Sequence, residues 1–329
     1  MVTMNDVAKA AGVSQATVSR VINGNPSVGQ TERRRVMECV RDLGYKPNIM
    51  ARSLGGSKTN LIGVVIPDVA NPFFAEIVNA IEKSANTYGY SVILCNTEYD
   101  IERERKSIDV LKSYRIDGLV VVPSDKNAES FQRLKRIDIP VVVVTQDVHG
   151  FTSISVSHYD AGEEVAKHFL DSGCTRFIYI GTPNKLEAKG QGFKDYIKQS
   201  GFDLEKSLKI LDKNKISESL TALLSQGYLV SPVGVFVKND IDALNTMHVL
   251  KDLGVKIPED VLLVGFDNTF FSKYLNPTLS TVAQPTEMIG TYAIENLVDK
   301  IGGRKKDERH LILAQRLIVR ESSMKQALR

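Results

Sequence analysis

The sequence has no tryptophan, only three cysteines and only five histidines among 329 residues. Cys39, Cys95 and Cys174 are odd in number and far apart, which excludes a disulfide framework and a Cys-x-x-Cys zinc pair; free thiols in a reducing compartment are expected. The histidines include no pair at metal-ligand spacing, so no metal site is expected. No run of 18 apolar residues is present, so no membrane-spanning helix is expected. Asn5, Asp6 and Lys9 stand where a secretory signal would need an apolar core, and the expected location is the cytoplasm. Several catalytic signatures are missing as well. There is no Gly-x-Gly-x-x-Gly after a strand, no Walker lysine loop and no Gly-x-Ser-x-Gly elbow. No cofactor is expected, and the chain is read as not an enzyme.

Charge is present but unevenly placed. Residues 1–60 hold nine basic and four acidic side chains, leaving 33 basic against 35 acidic in the remainder. The positive balance therefore sits in the N-terminal segment, as a polyanionic partner requires. That segment reads as three short helices. Thr3 and Asp6 form a capping pattern, Gly12 supplies a turn, Ser14 caps a helix from Gln15 to Ile22, and Asn23-Gly24-Asn25-Pro26 breaks it. A third helix, Thr31 to Leu43, places Val36, Val40 and Leu43 on one face.

This is a helix-turn-helix pattern whose second helix suits the DNA major groove. Gln15, Ala16 and Arg20 face outward. Arg20 can donate two hydrogen bonds to guanine, Gln15 can read adenine, and Ala16 can pack on a thymine methyl. Ser14, Thr17, Ser19 and Asn23 are expected to contact phosphates, which position the protein without specifying sequence. Beyond Pro47, Asn48 to Leu54 is a segment too short to hold a helix alone in water, and it is expected to order on DNA. Asn48, Ala51 and Arg52 then lie against the duplex, and Leu54 wedges between base steps of the minor groove.

After Gly55-Gly56-Ser57 the pattern changes to short apolar runs alternating with helical segments. Strands are expected at 61–66, 90–95, 118–122, 141–144, 177–180, 233–237 and 261–264. Helices are expected at about 73–87, 102–114, 160–172, 188–199, 240–253 and 285–301. Near-continuous apolar strands with helical crossovers mean parallel sheets covered on both faces, and their number suggests two units. A ligand of such a core sits at the carboxyl ends of the strands or in the crevice between the sheets.

The chain resembles the lactose/galactose repressor family of bacterial transcription regulators. The resemblance rests on Thr3-Met4-x-Asp6-Val7-Ala8, Val13-Ser14-x-x-Thr17-Val18-Ser19-Arg20-Val21-Ile22-Asn23, Leu43-Gly44-Tyr45-x-Pro47-Asn48 and Ala51-Arg52-Ser53-Leu54. It continues in Ile62 to Pro67, Asn71-Pro72-Phe73-Phe74, Asp117-Gly118-Leu119, Val264 to Asn268 and Thr281-Val282-x-Gln284-Pro285. It implies an all-α helix-turn-helix headpiece (1–46), a hinge helix and linker (47–59) and a core (60–329). That core resembles a sugar-binding periplasmic protein with two parallel-sheet subdomains. The first spans about 60–159 plus 286–318, the second about 160–285 plus the C-terminal segment.

The resemblance also implies a homodimer on a pseudo-palindromic double-stranded operator, repressing a carbohydrate-use operon, with a sugar, sugar acid or sugar phosphate as effector. Effector contacts carry over to Phe73, Phe74, Ser124, Gln146, Asp147, Lys189, Asn239, Asp240 and Asp267. Lys189 stands where most members have arginine, and Asp242 stands where an apolar residue is usual. Lys189, with Lys238 or His149, is expected to suit an anionic effector. One subclass uses a phosphorylated phosphocarrier protein as co-repressor. Its phosphate-gripping arginine aligns with Glu295, which argues against that partner. Two other classes remain open: a sugar-acting enzyme on the same α/β scaffold, and a soluble sugar-binding protein.

Leu54→Ala is expected to weaken operator binding more than binding to random duplex, because a wedge acts only where DNA is kinked. Titration of both duplexes at one salt concentration checks this; equal losses would sink it.

Overall fold

A computed structural model describes residues 2–22, 24–45, 58–124, 134–182, 186–230, 232–304 and 307–324. Three helices open the chain: α1 (Met4–Ala11), α2 (Gln15–Ile22) and α3 (Gln30–Asp42). Thr3 and Asp6 form the expected reciprocal capping box on α1, and Gly12 ends that helix at φ 62°, a left-handed conformation glycine adopts without strain. The Ser14 hydroxyl accepts from the Thr17 backbone N–H at 3.1 Å, which caps α2. Val7, Ala8, Val18, Val21, Val28 and Val36 close a small core, with Ile22 and Val40 at its margin. Leu43, expected on the buried face of α3, is instead its C-cap and is exposed, because the helix ends one turn-position earlier than the periodicity suggested.

Among the described residues, the core consists of two six-stranded sheets. The first is assembled from β1 (Leu61–Ile66), β2 (Ser91–Asn96), β3 (Gly118–Val121), β4 (Val141–Val144), β5 (Thr152–Val156) and β11 (His310–Leu313), in the order β11-β5-β4-β3-β1-β2. The second holds β6 (Arg176–Gly181), β7 (Leu208–Asp212), β8 (Val233–Val237), β9 (Val261–Asp267), β10 (Ser280–Ala283) and β12 (Arg316–Ile318), in the order β12-β10-β9-β8-β6-β7. All seven expected strands are present. The other five were not legible: β5, β7 and β10 mix polar with apolar residues, while β11 and β12 are short edge strands with half-exposed patterns.

Helices α4 (Pro72–Thr87), α5 (Ile101–Ser113) and α10 (Thr286–Ile301) cover the first sheet. Ile77, Ile81, Ile289, Ile294 and Leu297 are buried against Ile62, Val64, Val120 and Val142. Around the second sheet lie α6 (His158–Asp171), α7 (Ala188–Gln199), α8 (Ile216–Ser225) and α9 (Asp240–Asp252). One expectation about the subdomains is corrected. Residues 316–318 were placed with the first subdomain, but they pair antiparallel with β10 of the second sheet, Thr281 opposite Ile318 and Ala283 opposite Arg316. An antiparallel edge strand was not foreseen in a core read as wholly parallel.

The tightest helix packing lies between α6 and α7. A Cβ on Gly162 would meet the Lys189 carbonyl oxygen at 1.9 Å, and one on Gly192 would meet that of Tyr159 at 2.0 Å. Both obstacles are backbone, which cannot swing aside, so only glycine admits this approach. Gly162→Ala and Gly192→Ala should each lower the unfolding free energy by about 1–3 kcal/mol or more through overpacking. Urea titration checks this; unchanged midpoints would mean that the helices can separate freely.

Candidate functional site: a DNA-facing helix and an inter-sheet cleft

In the headpiece, the helix-turn-helix geometry leaves Ser14, Gln15, Ala16 and Arg20 exposed, with Thr17 and Ser19 half-buried and Val18 and Val21 turned into the core. Ser14 and Thr17 share a 2.9 Å hydroxyl contact besides the cap, so the Ser14 oxygen is already engaged within the helix end. Arg20 gives this face its one positive charge, and Arg33 from α3 braces the turn by donating to the Asn25 carbonyl at 2.6 Å. Asn23, Asn48, Ala51, Arg52 and Leu54 lie outside the described residues.

In the core, polar residues follow the carboxyl ends of the strands of both sheets, where ligands of such folds sit. On the first sheet these are Asp68 after β1, Tyr99 after β2, Ser124 after β3 and Gln146 after β4. On the second sheet they are Thr182 after β6, Lys238 and Asn239 after β8, Asp267 at the end of β9 and Gln284 after β10. Tyr99, from the first set, lies within range of charges of the second. Loss of hydration, then the carboxylates of Asp68, Asp267 and Asp242, push its hydroxyl up to about 12, so a group of the first sheet feels charges of the second.

Lys189 is the centre of the second set. It is buried on α7, donates to the Lys238 carbonyl at 2.7 Å and lies 3.4 Å from the centre of the Phe266 ring. A buried ammonium needs compensation. The ring face gives some, and the carboxylates of Asp267 and Glu187 give more. Burial works against both charges, pulling Lys189 down and pushing Asp267 up, while each charge offsets part of that cost for the other. Asp267 accepts from the Gln284 amide at 2.7 Å and sits at φ 108°, a backbone position that non-glycine residues rarely adopt. Glu187 accepts from the Tyr179 hydroxyl at 2.9 Å, from the Thr182 N–H at 3.1 Å and from the Thr182 hydroxyl, and it stands 3.9 Å from Lys238.

The remaining expected effector residues divide. Phe73 and Phe74 pack edge to face, with ring centres 5.1 Å apart, at the start of α4, where Asn71 caps the helix. Ser124 is held by Glu104, which accepts its N–H at 2.6 Å, and by the Thr97 hydroxyl at 2.8 Å. Gln146 donates to the Pro123 carbonyl at 3.2 Å. Asn239 uses its side-chain oxygen to cap α9, accepting from Asp242 at 2.7 Å.

Three expected residues have other partners in the structure. Asp240 is fully buried and saturated, accepting from the Thr269 N–H at 2.8 Å, the Thr269 hydroxyl at 2.9 Å and the Thr281 hydroxyl at 2.6 Å. It ties three segments of the second sheet together and has no face toward a ligand. Asp147 directs one carboxylate oxygen, Oδ1, to Ser153 and His310, at 2.8 and 2.5 Å. His149, expected beside Lys189, instead lies with Glu308 and His310. Sequence reading missed Tyr99 and Glu187. Tyr99 carried no periodic signal, and Glu187 could have been noticed only as an acid two residues before a buried lysine.

A basic helix-turn-helix headpiece joined to a two-sheet core with a polar cleft defines a DNA-binding transcription regulator. Residues 3–48 match the bacterial regulatory proteins of the lacI family, and residues 166–323 match the periplasmic binding protein-like domain. The HTH-type transcriptional regulator DegA of Bacillus subtilis is 32% identical, with 98% of each chain covered. The ribose operon repressor of Halalkalibacterium halodurans is 33% identical, over 98% of this chain and 97% of the relative. The lac repressor dimer bound to operator and the anti-inducer ONPF superposes with a TM-score of 0.86 at 25% identity, over 98% of this chain and 99% of that one. The chain belongs to the LacI family.

Burial raises Asp240 to about 6 in the fold, against 3.8 for a free carboxyl. A folded pKa above the unfolded one means that the folded form holds the proton longer, so this group's contribution to stability falls as pH rises through that window. Asp240→Asn should cost about 1–3 kcal/mol by leaving donors unmatched. The wild-type advantage over it should decline from about pH 4 to about pH 6 and then level off. Chemical denaturation at several pH values checks both; a rising advantage would refute the assignment.

Proposed function

We propose that this protein represses a carbohydrate-use operon as a homodimer on a palindromic operator, and that its effector is a neutral sugar bound in the inter-sheet cleft. The operator reading rests on the exposed Gln15, Ala16 and Arg20 face of α2 and on the basic headpiece. The lac repressor structure, a dimer on operator, supports the assembly. The ribose operon repressor supports a carbohydrate operon as target.

The observation that carries the neutral-sugar reading is a set of buried acceptors. Gln146 Oε1, Gln284 Oε1 and Asp242 Oδ2 are buried without a hydrogen-bond partner. The two amides cannot be exchanged end for end to relieve this, because their nitrogens already donate to the Pro123 carbonyl and to Asp267. Unmet acceptors need donors, and sugar hydroxyls supply them. A phosphate or carboxylate brings further acceptors and none of the donors required. Charge points the same way. Lys189 and Lys238, with Lys213 close to Lys238, stand among Glu187, Asp242 and Asp267, with Asp68 beyond them near Tyr99, so the three ammonium groups face four carboxylates. The sequence-based hypothesis of an anionic effector is therefore set aside. A phosphorylated phosphocarrier partner is also disfavoured. The groove between α4 and α10 is lined by Glu76, Glu287 and Glu295 against one lysine, Lys83, and it repels a phosphate.

The test is thermal unfolding of the whole protein with neutral pentoses and hexoses, sugar acids and sugar phosphates. A ligand at about 100 times its dissociation constant adds about 2.7 kcal/mol of stability. Neutral sugars alone should raise the midpoint, and Gln284→Leu and Lys189→Met should abolish the shift. A shift confined to phosphorylated or acidic sugars would reverse the reading.

A further inference from the structure

His149, Glu308 and His310 come from parts of the chain about 160 positions apart, yet their ligand atoms lie within 4.8 Å of one another on the outer edge of the first sheet. We propose that these three residues form a binding site for a divalent transition metal of the zinc class. Imidazole nitrogen and carboxylate oxygen are donors that Zn²⁺ accepts at about 2.0–2.2 Å, and three protein ligands leave a fourth position for water. All three side chains are exposed, so small rotamer changes can draw the donors from their present spacing to metal distance.

The surroundings organise the site. The β11 strand brings His310 beside Ser153 of β5, and Ser153 N–H donates to the Arg309 carbonyl at 2.8 Å. Glu308 and Arg309 immediately precede the strand that His310 opens. Glu308 is steadied by the Gly150 N–H at 3.0 Å, which joins it to the connection that carries His149. His310 Nδ1 is held by Asp147 at 2.5 Å and Ser153 at 3.0 Å. A carboxylate on Nδ1 favours the proton there and leaves the Nε2 lone pair to ligate, the arrangement that supports metal-bound imidazoles. Asp147 and Glu308 together supply two negative charges for a dication. Lys135, which runs against Gly150, opposes it with one.

The position gives such an ion a structural consequence. The β4–β5 connection carries both Gln146 and His149. Strand β11 leads within a few residues to β12, where the chain crosses to the second sheet. A bound metal ties these two segments together.

The experiment is isothermal titration of untagged, chelator-treated full-length protein with ZnCl₂ and, separately, NiCl₂. One equivalent per chain is expected. His149→Ala and His310→Ala should each weaken binding at least about tenfold, and Asp147→Asn by about 10–100-fold through lost orientation of His310. His248→Ala removes an exposed histidine paired with Asp252 at 3.4 Å and should change nothing. Melting each variant in chelator separates a lost ligand from a lost fold. No binding up to about 1 mM metal, or binding unaltered in the His149→Ala/His310→Ala double variant, would overturn the site.

Discussion

The arrangement around Lys189 depends on a buried positive charge that must be compensated. Gly162 lets α6 press on the Lys189 carbonyl, so the start of α7 is fixed against the carboxyl edge of the second sheet. From there the ammonium reaches the Phe266 ring, the Lys238 carbonyl and the field of Asp267. Moving it outward would leave Asp267 buried beside Gln284 without a counter-charge, which is costly in a low-dielectric interior. The strained backbone at Asp267 is held by the same set of contacts.

That compensation also shapes what the cleft can accept. Glu187, engaged by Tyr179 and Thr182, stands by Lys238 and takes up its charge. With the cations matched internally, the unmet groups are neutral or anionic acceptors on Gln146, Gln284 and Asp242. A lysine in place of the family's usual arginine suits this arrangement. Its compact point charge can sit under one ring face and against one carbonyl, where a planar five-donor group would need further acceptors.

The two sheets are joined through the chain between β5 and α6, between β10 and α10, and between β11 and β12. Residues near these crossings are tied by polar contacts that span long sequence separations. The Gln315 amide donates to the Ser157 carbonyl at 2.5 Å, and Leu317 N–H donates to Glu164 at 3.1 Å. Alternative arrangements of the two units, biased by a ligand that prefers one, are the physical content of regulation in such a core.

Local patterns determined much of this protein. The Thr3–Asp6 cap, the Ser14 cap, the outward face of α2 and the seven apolar strands were legible because each is set by neighbours within a few residues. The polar strand β5 and the edge strands β11 and β12 were not, because their stability comes from partners distant in sequence. The same division holds at the sites. Lys189 and Asp267 stood out at matched positions. That Asp240 is sealed among Thr269 and Thr281, that Asp147 turns to His310, and that His149 meets Glu308 were decided only by tertiary structure. A side chain's residue type follows from sequence, but its partners are fixed by which segments the sheets bring together.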